Sequence, residues 1–137
     1  MAKQALFAGS FDPFTIGHYS VVKRALPMFD KITIGIGINS GKKSMFPVEE
    51  RVKAIEKAFA GEERIEVKVY DCLTMDFAKE IGADVLLRGV RTTKDFEYER
   101  EIADINLKLG GIETVLLISE PEYASISSSV VRELITY

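Results

Sequence analysis

The sequence predicts an α/β protein built on a doubly wound, five-stranded parallel sheet. Two observations favour this fold class. Five short apolar segments alternate along the chain with longer segments in which apolar residues recur at helical spacing. Polar loops follow four of these strands, and in an open parallel sheet such loops gather where the strand order reverses. The predicted strands are 4–8, 31–38, 64–70, 83–87 and 113–118, and the predicted helices are 19–28, 47–60, 74–81, 94–109 and one beginning within 125–134.

The first two predicted strands are short and rich in apolar or β-branched residues. Residues 4–8 are largely apolar and end at a glycine, and the helix that follows has apolar residues every four positions. Residues 31–38 alternate small and β-branched side chains. Gly35 and Gly37 resemble the start of a dinucleotide fingerprint, but they lie inside the strand and the third glycine is missing. We therefore reject that motif.

The middle of the chain carries clear helix and strand boundaries. Pro47 suits the first position of a helix with acidic residues in its first turn, and Gly61 suits its end. Strict alternation over 64–70 predicts a strand near a sheet edge, with one solvated side. Gly82 closes the short helix that follows. The core-facing positions of the longer helix are Val48, Val52, Ile55 and Phe59.

The last third of the chain repeats the strand–helix alternation. Residues 83–87 and 113–118 have the apolar composition of buried strands. Between them, 94–109 predicts a helix that ends at two glycines. Serines before an apolar run are typical of the start of a final helix. The apolar stripe of the 94–109 helix consists of Tyr98, Ile102, Ile105 and Leu109.

Length and composition limit the classes of function. We interpret 137 residues as a single domain over 1–137 with a substantial core. A net charge of -3 argues against binding to nucleic acid or a membrane surface, which needs a basic face. Without a long apolar run or signal-peptide pattern, we expect a cytoplasmic protein. The lone Cys72 excludes an internal disulfide and a thiolate cluster, and we expect it to be a buried small hydrophobe.

The loop over residues 9–18 is the first candidate for a ligand site. It joins a strand to a helix, and the N-terminus of a helix offers N–H groups and partial positive charge to a phosphate. Gly9 and Gly17 allow close backbone approach, and Pro13 stiffens the loop. The alternative is a plain connection whose histidine caps the helix. His18 is the only histidine in the chain and the loop is long, which favours the functional interpretation.

Two further loops carry cations at the carboxyl ends of predicted strands. Lys42 and Lys43 follow the second strand, where a solvated basic turn and a ligand-binding cation are equally compatible with the pattern. Arg88 and Arg91 follow the fourth strand and flank Gly89. The planar donors of arginine match phosphate oxygens, so we favour phosphate contact over ion pairs with acidic residues of the next helix, Asp95 and Glu99.

Two polar patterns on the last helices leave alternatives open. The serines at 125–129 either cap a helix or form a second phosphate cradle, with Arg132 about one turn further on. Glu99, Ile102 and Asn106 share one face of the preceding helix. That face either contacts a polar ligand or is a solvated flank.

Three motifs together resemble the bacterial phosphopantetheine adenylyltransferases, a family of the nucleotidyltransferase superfamily. The Gly9–Pro13 and Thr15–His18 segments match the family's T-x-G-H form of the superfamily signature. Ile126–Arg132 matches the I-S-S-x-x-x-R pattern of the superfamily. The most family-specific stretch is Arg88–Arg91 with Asp95–Glu99. The resemblance covers nearly the whole chain and implies the Rossmann-like nucleotidyltransferase fold.

The resemblance implies transfer of AMP from ATP to 4'-phosphopantetheine, giving dephospho-coenzyme A and pyrophosphate, with coenzyme A as a further, product-like ligand. It also implies Mg²⁺ bound through the ATP phosphates, no metal cage built by the protein, and a homohexamer. His18 is the implied catalytic residue, a donor to the α-phosphate. The implied acceptor-binding residues are Ser10, Lys42, Thr74 and Arg88, and the implied ATP-binding residues are Ser10, Phe11, His18, Gly89, Val90, Arg91, Glu99, Tyr123, Ala124, Ser125, Ile126, Ser127, Ser128 and Ser129.

Two departures from the family pattern stand out. Ser10 replaces the more common threonine and keeps the hydroxyl, and relatives continue with further helix beyond the position of Tyr137. Alternative functions are transfer to nicotinate mononucleotide, cytidylyl transfer to a polyol phosphate, or non-catalytic binding of coenzyme A or a nucleotide. A plain flavodoxin-like module is a further alternative, but it leaves three ligand-type loops to chance.

Overall fold

The computed structural model describes residues 3–38, 43–120 and 126–136. Five parallel strands form one sheet in the order β3-β2-β1-β4-β5, which confirms the predicted fold class. The strands are β1 (Gln4–Gly9), β2 (Lys31–Gly37), β3 (Ile65–Tyr70), β4 (Val85–Val90) and β5 (Glu113–Ile118). The helices are α1 (Ile16–Ala25), α2 (Val48–Ala58), α3 (Thr74–Ile81), α4 (Thr93–Gly110) and α5 (Ser128–Thr136), with a short 3₁₀ turn at Leu26–Met28.

Strand β1 lies at the centre of the sheet, where the strand order reverses. It pairs with β2 from Gln4 opposite Lys31 and with β4 from Ala5 opposite Val85. The carboxyl ends of β1 and β4 therefore lie side by side. An open α/β sheet binds ligands at this position, and the described loops that follow β1 and β4 lie next to each other there.

The core covers both faces of the sheet. One cluster packs α1 and α2 side chains such as Val22 and Ile55 onto β1 and β2. The other packs Phe77 and Ala78 of α3 onto Leu6 and Leu86 of the strands. Helices on both faces are what a doubly wound sheet requires, because each crossover between parallel strands places its helix on one face or the other.

Several predicted boundaries hold, and others shift for local reasons. The α3 helix spans 74–81 and ends at Gly82 in the left-handed conformation, as predicted. Strand β3 is at the sheet edge, also as predicted. Pro47 is the N-cap of α2 instead of its first helical residue. Arg88 lies inside β4 instead of after it, and β5 is a half-buried edge strand instead of a fully buried one.

The expected burial of Cys72 was wrong. Cys72 is exposed, because it lies in the short polar connection between β3 and α3. The apolar stripe of α4 does not pack into the core: Tyr98 is 61% exposed and Leu109 is 77% exposed. Glu99 is the buried residue of this helix. Within the described ranges, no helix combines the length and apolar character needed to cross a bilayer.

Candidate active site

His18 is held at the start of α1 by a reciprocal cap. Thr15 is the N-cap, and its Oγ1 accepts from the backbone N–H of His18 at 3.4 Å. In return, the backbone N–H of Thr15 donates to Nδ1 of His18 at 2.9 Å. This is a capping box in which an imidazole takes the place usually held by Glu or Gln. Because Nδ1 accepts a hydrogen bond, the neutral ring carries its proton on Nε2.

Aromatic rings enclose the His18 imidazole. Its centroid lies 5.0 Å from that of Phe11, 5.4 Å from that of Phe14 and 6.2 Å from that of Phe7. Burial, followed by the charges of Arg88 and Arg91, lowers the pKa of His18 from 6.5 to about 4. With a pKa near 4, the ring is neutral at physiological pH.

The loop before α1 is shaped by Phe11. This residue adopts φ 48°, in the left-handed region that bulky side chains rarely occupy, and its ring is buried. A Cβ at Gly9 would lie 3.1 Å from the Phe11 ring. Gly9 is therefore needed for this ring to fold beneath the end of β1, next to His18.

Arg88 and Glu99 form a bidentate ion pair between β4 and α4. Arg88 Nε and Nη2 donate to the two carboxylate oxygens at 2.7 and 2.9 Å, and Nη1 donates to the Ala8 carbonyl at 2.5 Å. Burial lowers the pKa of the Arg88 guanidinium, but the hydrogen bonds and charge of Glu99 outweigh it, and the net shift is upward. Arg88 is therefore charged and fixed in orientation.

Arg91 is also paired with a carboxylate. Its Nε donates to Asp95 at 3.1 Å, and Asp95 sits in the first turn of α4, where the N-cap Thr92 accepts its backbone N–H at 3.1 Å. Both arginines thus make ion pairs with acidic residues of α4, the alternative that the sequence favoured less than phosphate contact. A carboxylate of α4 is therefore the counter-ion of each guanidinium. Phosphate contact by either arginine stays a prediction.

Gly89 lies between these arginines for a packing reason as well. A Cβ on Gly89 would come within 2.8 Å of Cγ2 of Val21 on α1. The helix that carries His18 can therefore approach β4 only because position 89 has no side chain.

The serines before α5 combine capping with docking. Ser127 Oγ accepts from the backbone N–H of Val130 at 3.2 Å, as an N-cap does. Ser128 Oγ donates to the Pro13 carbonyl at 2.7 Å, and Arg132 Nη1 donates to the Asp12 carbonyl at 2.6 Å. These bonds seat the start of α5 on the loop that precedes His18.

These segments enclose a cavity of about 400 Å³ at the carboxyl ends of β1 and β4. Val90 is buried and is not among the described residues that line this cavity. Lys42, Tyr123, Ala124 and Ser125 lie outside the described residues. The predicted site residues that line it are Ser10, Phe11, His18, Arg88, Gly89, Arg91, Glu99, Ile126, Ser127, Ser128 and Ser129.

A second cavity of about 450 Å³ adjoins the first and shares Arg88 and Glu99 with it. Thr74 lies here, and its hydroxyl is 2.8 Å from that of Tyr70. The exposed stripe of α4 forms much of the wall, together with Asn106. The Glu99, Ile102 and Asn106 face is therefore the wall of a cavity and not a solvated flank.

Three buried polar residues at the site were missed or given no role from the sequence. Thr15 and Asp12 are buried and lie inside the loop motif over residues 9–18. Their position in that motif is the sequence signal that could have identified them. Arg51 is 5% exposed on α2 and donates to the Ser10 carbonyl at 2.8 Å. Its sequence surroundings resemble those of any charged helical residue, so no pattern pointed to it.

Comparison with known proteins defines first the class of the protein and then its family. A family model of cytidylyltransferase-like proteins matches residues 6–134, so the chain is a member of that class. It is 61% identical over 135 residues to the phosphopantetheine adenylyltransferase of Phocaeicola vulgatus, which covers 98% of this chain and 89% of that protein. The enzyme of the same name from Leuconostoc citreum is 48% identical over 130 residues, covering 95% and 82%. The chain belongs to the phosphopantetheine adenylyltransferase family.

More distant solved structures share the fold. A bifunctional NMN adenylyltransferase/ADP ribose pyrophosphatase from Francisella tularensis superposes with a TM-score of 0.70 at 16% identity, covering 98% of this chain and 42% of that one. A lipopolysaccharide core biosynthesis protein from Thermoplasma volcanium gives a TM-score of 0.62 at 19% identity, covering 88% and 98%. At these identities the likeness supports the nucleotidyltransferase fold alone.

Proposed function

We propose that this chain transfers the AMP group of ATP to the phosphate of 4'-phosphopantetheine, giving dephospho-coenzyme A and pyrophosphate. The observation that carries the proposal is the pair of cavities that share Arg88 and Glu99. The first cavity has the cations, hydroxyls and helix N-terminus that suit a nucleoside triphosphate. The second is largely apolar with a few polar groups, including Thr74 and Asn106, which suits an amide-containing alkyl arm.

The chemistry explains why a single histidine suffices. An oxygen of the acceptor phosphate attacks the α-phosphorus of ATP, a new P–O bond forms, and the bond between α-phosphorus and the bridging oxygen breaks as pyrophosphate leaves. A phosphate monoester has its second pKa near ~6, so the attacking oxygen is already deprotonated at neutral pH. The site must hold two anions in line and stabilise the charge that develops on the transferred group.

His18 is the proposed donor to the α-phosphate. The bond from the Thr15 N–H to Nδ1 leaves the Nε2–H as the donor of the neutral ring. The surrounding rings of Phe11 and Phe14 fix its orientation without offering a competing hydrogen-bond acceptor. A preorganised donor of this kind stabilises the transition state without reorganising during the reaction.

The remaining roles follow the resemblance. Ser10, Lys42, Thr74 and Arg88 are the proposed acceptor contacts. For Arg88, Glu99 fixes the guanidinium beside both cavities before substrate arrives. The proposed ATP contacts are Ser10, Phe11, His18, Gly89, Val90, Arg91, Glu99 and the segment 123–129.

Mg²⁺ is proposed to bind through the phosphate oxygens of ATP. Among the described residues, no group of three or more carboxylate, histidine or cysteine side chains is arranged to hold a metal ion. Glu99 and Asp95, the carboxylates that line the first cavity, are engaged by arginines. When bound, the cation would neutralise charge on the departing pyrophosphate.

The proposed setting is a cytoplasmic homohexamer in which residues 1–137 of each subunit form a single domain. Large exposed apolar side chains support self-association: Ile118 is 76% exposed and Leu134 is 73% exposed. Light scattering on the purified protein measures the number of subunits directly, and a monomer would contradict the proposed assembly.

The test of the proposed function is pyrophosphate release with one acceptor at a time. Purified protein receives ATP and Mg²⁺ with 4'-phosphopantetheine, nicotinate mononucleotide or glycerol 3-phosphate, and glycerol 3-phosphate is repeated with CTP. We expect release with phosphopantetheine alone, together with dephospho-coenzyme A detected by mass. Release with another acceptor only, or binding of ATP without release, would replace the proposal by one of the alternatives above.

A further inference from the structure

A buried carboxylate joins the two loops that follow β1 and β2. Asp12 is 6% exposed and belongs to the loop before His18. Its Oδ2 accepts from the backbone N–H of Met45 at 2.8 Å, and its Oδ1 accepts from that of Phe46 at 2.9 Å. Each oxygen thus has a main-chain donor from the other loop. A buried carboxylate bonded in this way stabilises one relative position of the two loops.

A buried guanidinium closes the same connection from the opposite side. Arg51 Nη1 donates to the Ser10 carbonyl at 2.8 Å, and its Nε donates to the Phe46 carbonyl at 3.1 Å. Its Nη2 lies 3.4 Å from the Ser44 hydroxyl. Phe46 is therefore held through its N–H by Asp12 and through its carbonyl by Arg51. We call these five hydrogen bonds the Asp12–Arg51 staple.

The staple borders a small cationic cavity of about 180 Å³. Ser10 and Arg132 line this cavity and also the cavity of about 400 Å³, so the two are adjacent. Lys43 and Arg51 add positive charge to its wall. Lys43 lies two residues before Met45, the first residue whose N–H the staple holds.

We propose that Asp12 and Arg51 are positioning residues that hold the described segment 43–46, which carries Lys43, against Ser10, ready for the phosphate of the acceptor. The inference rests on the proposed function and names two residues to which the resemblance gave no role. Lys43 is two residues from Met45, so holding the Met45 amide limits the positions open to the Lys43 Cα, at ~3.8 Å between successive Cα atoms. A loop that is already ordered loses little conformational entropy when the ligand binds, so binding is more favourable.

The charges of the two residues suit a positioning role better than direct contact. Both Asp12 oxygens are engaged by main-chain N–H groups, and an anionic carboxylate repels a phosphate. Arg51 directs its donors at Ser10, Ser44 and Phe46 of the two loops. Loss of either residue should therefore loosen the grip on the acceptor while leaving the α-phosphate donor in place.

The test compares two conservative substitutions at the staple with two matched controls elsewhere. Asp12→Asn leaves one acceptor oxygen for two backbone N–H groups. Arg51→Lys keeps the positive charge but loses the planar guanidinium with its several N–H donors. The controls are Asp104→Asn and Arg64→Lys, which alter exposed ion pairs. We expect the KM for phosphopantetheine to rise at least about tenfold in both staple variants, the KM for ATP to change less than about twofold, and the controls to match wild type.

Backbone hydrogen exchange supplies a second readout that does not depend on turnover. The amides of Met45 and Phe46 should exchange faster in Asp12→Asn, while those in β1 keep their protection. If Asp12→Asn does not fold, Asp12→Glu takes its place. An unchanged acceptor KM in folded variants would overturn the proposal, and so would equal increases in both KM values. If the wild-type protein forms no dephospho-coenzyme A, the proposed function is wrong. If the Met45 and Phe46 amides exchange as slowly in Asp12→Asn as in wild type, the staple does not hold these residues.

Discussion

Thr15 and His18 hold each other in place, because the backbone N–H of Thr15 donates to Nδ1 while the Thr15 hydroxyl accepts from the His18 N–H. One residue is thus both half of a helix cap and the proposed catalytic donor. The capping interpretation of the histidine is confirmed, and the same geometry leaves its Nε2–H available for the proposed functional role, which stays a prediction. The cap sets the tautomer, and the tautomer sets which nitrogen can donate to a ligand.

The first prediction concerns the protonation state of His18. Because the chain has a single histidine, ring nitrogen signals in a ¹⁵N NMR spectrum belong to His18 without ambiguity. We expect the Nε2–H tautomer above pH 5 and a titration midpoint near pH 4, since burial and the two arginines lower its pKa to about 4. A midpoint near 6.5, or an Nδ1–H tautomer, would contradict the structure.

The second prediction is a pH dependence of stability that comes from the same residue. The unfolded chain binds a proton at His18 below about pH 6.5, whereas the folded protein resists doing so until about pH 4. The contribution of neutral His18 to the free energy of unfolding is therefore fully present above pH 6.5. It declines by about 1–3 kcal/mol as the pH falls toward 4. Urea unfolding of wild type and His18→Gln across this range isolates the effect. Parallel curves for the two proteins would show that the histidine is not responsible.

The third prediction tests the catalytic role. His18→Ala should lower kcat by about 10²–10³-fold with little change in the KM for ATP, because the proposed bond to the α-phosphate strengthens in the transition state. The cap loses one partner, so a stability loss of about 1 kcal/mol is expected as well. Thermal unfolding establishes how much of the variant is folded at the assay temperature. A folded variant with normal turnover would remove His18 from the mechanism.

The fourth prediction separates the two arginines by the burial of their partners. The Glu99 carboxylate is 8% exposed, whereas that of Asp95 is 29% exposed. Arg88→Ala should therefore destabilise the protein by about 1–3 kcal/mol, because it leaves a buried carboxylate with fewer donors. The matched change Arg91→Ala should cost less than about 1 kcal/mol. Urea titrations at pH 7 measure both, and equal losses would mean that burial of Glu99 does not govern the pair.

Local patterns in the sequence predicted the elements, while contacts between distant residues decided the site. Helix α3 and its Gly82 cap follow from spacing and turn chemistry alone. The α4 stripe has core-like spacing, but periodicity cannot distinguish a core from the wall of a cavity. The bond from Arg51 to Ser10 spans 41 residues and has no sequence signature. Tertiary packing supplies such pairings, so they enter only with the fold.

The fifth prediction uses the contact between Gly89 and Val21, which joins the two halves of the proposed ATP site. Gly89→Ala would place a Cβ within 2.8 Å of a Val21 methyl group, and neither the strand nor the branched side chain can yield easily. We expect a loss of about 1–3 kcal/mol in stability and a fall in kcat, because α1 must move away from β4 and take His18 with it. The double variant Gly89→Ala, Val21→Ala removes the clash, so it should recover much of the turnover. A double variant no more active than Gly89→Ala would show that position 89 acts through its contact with the nucleotide and not through the placement of α1.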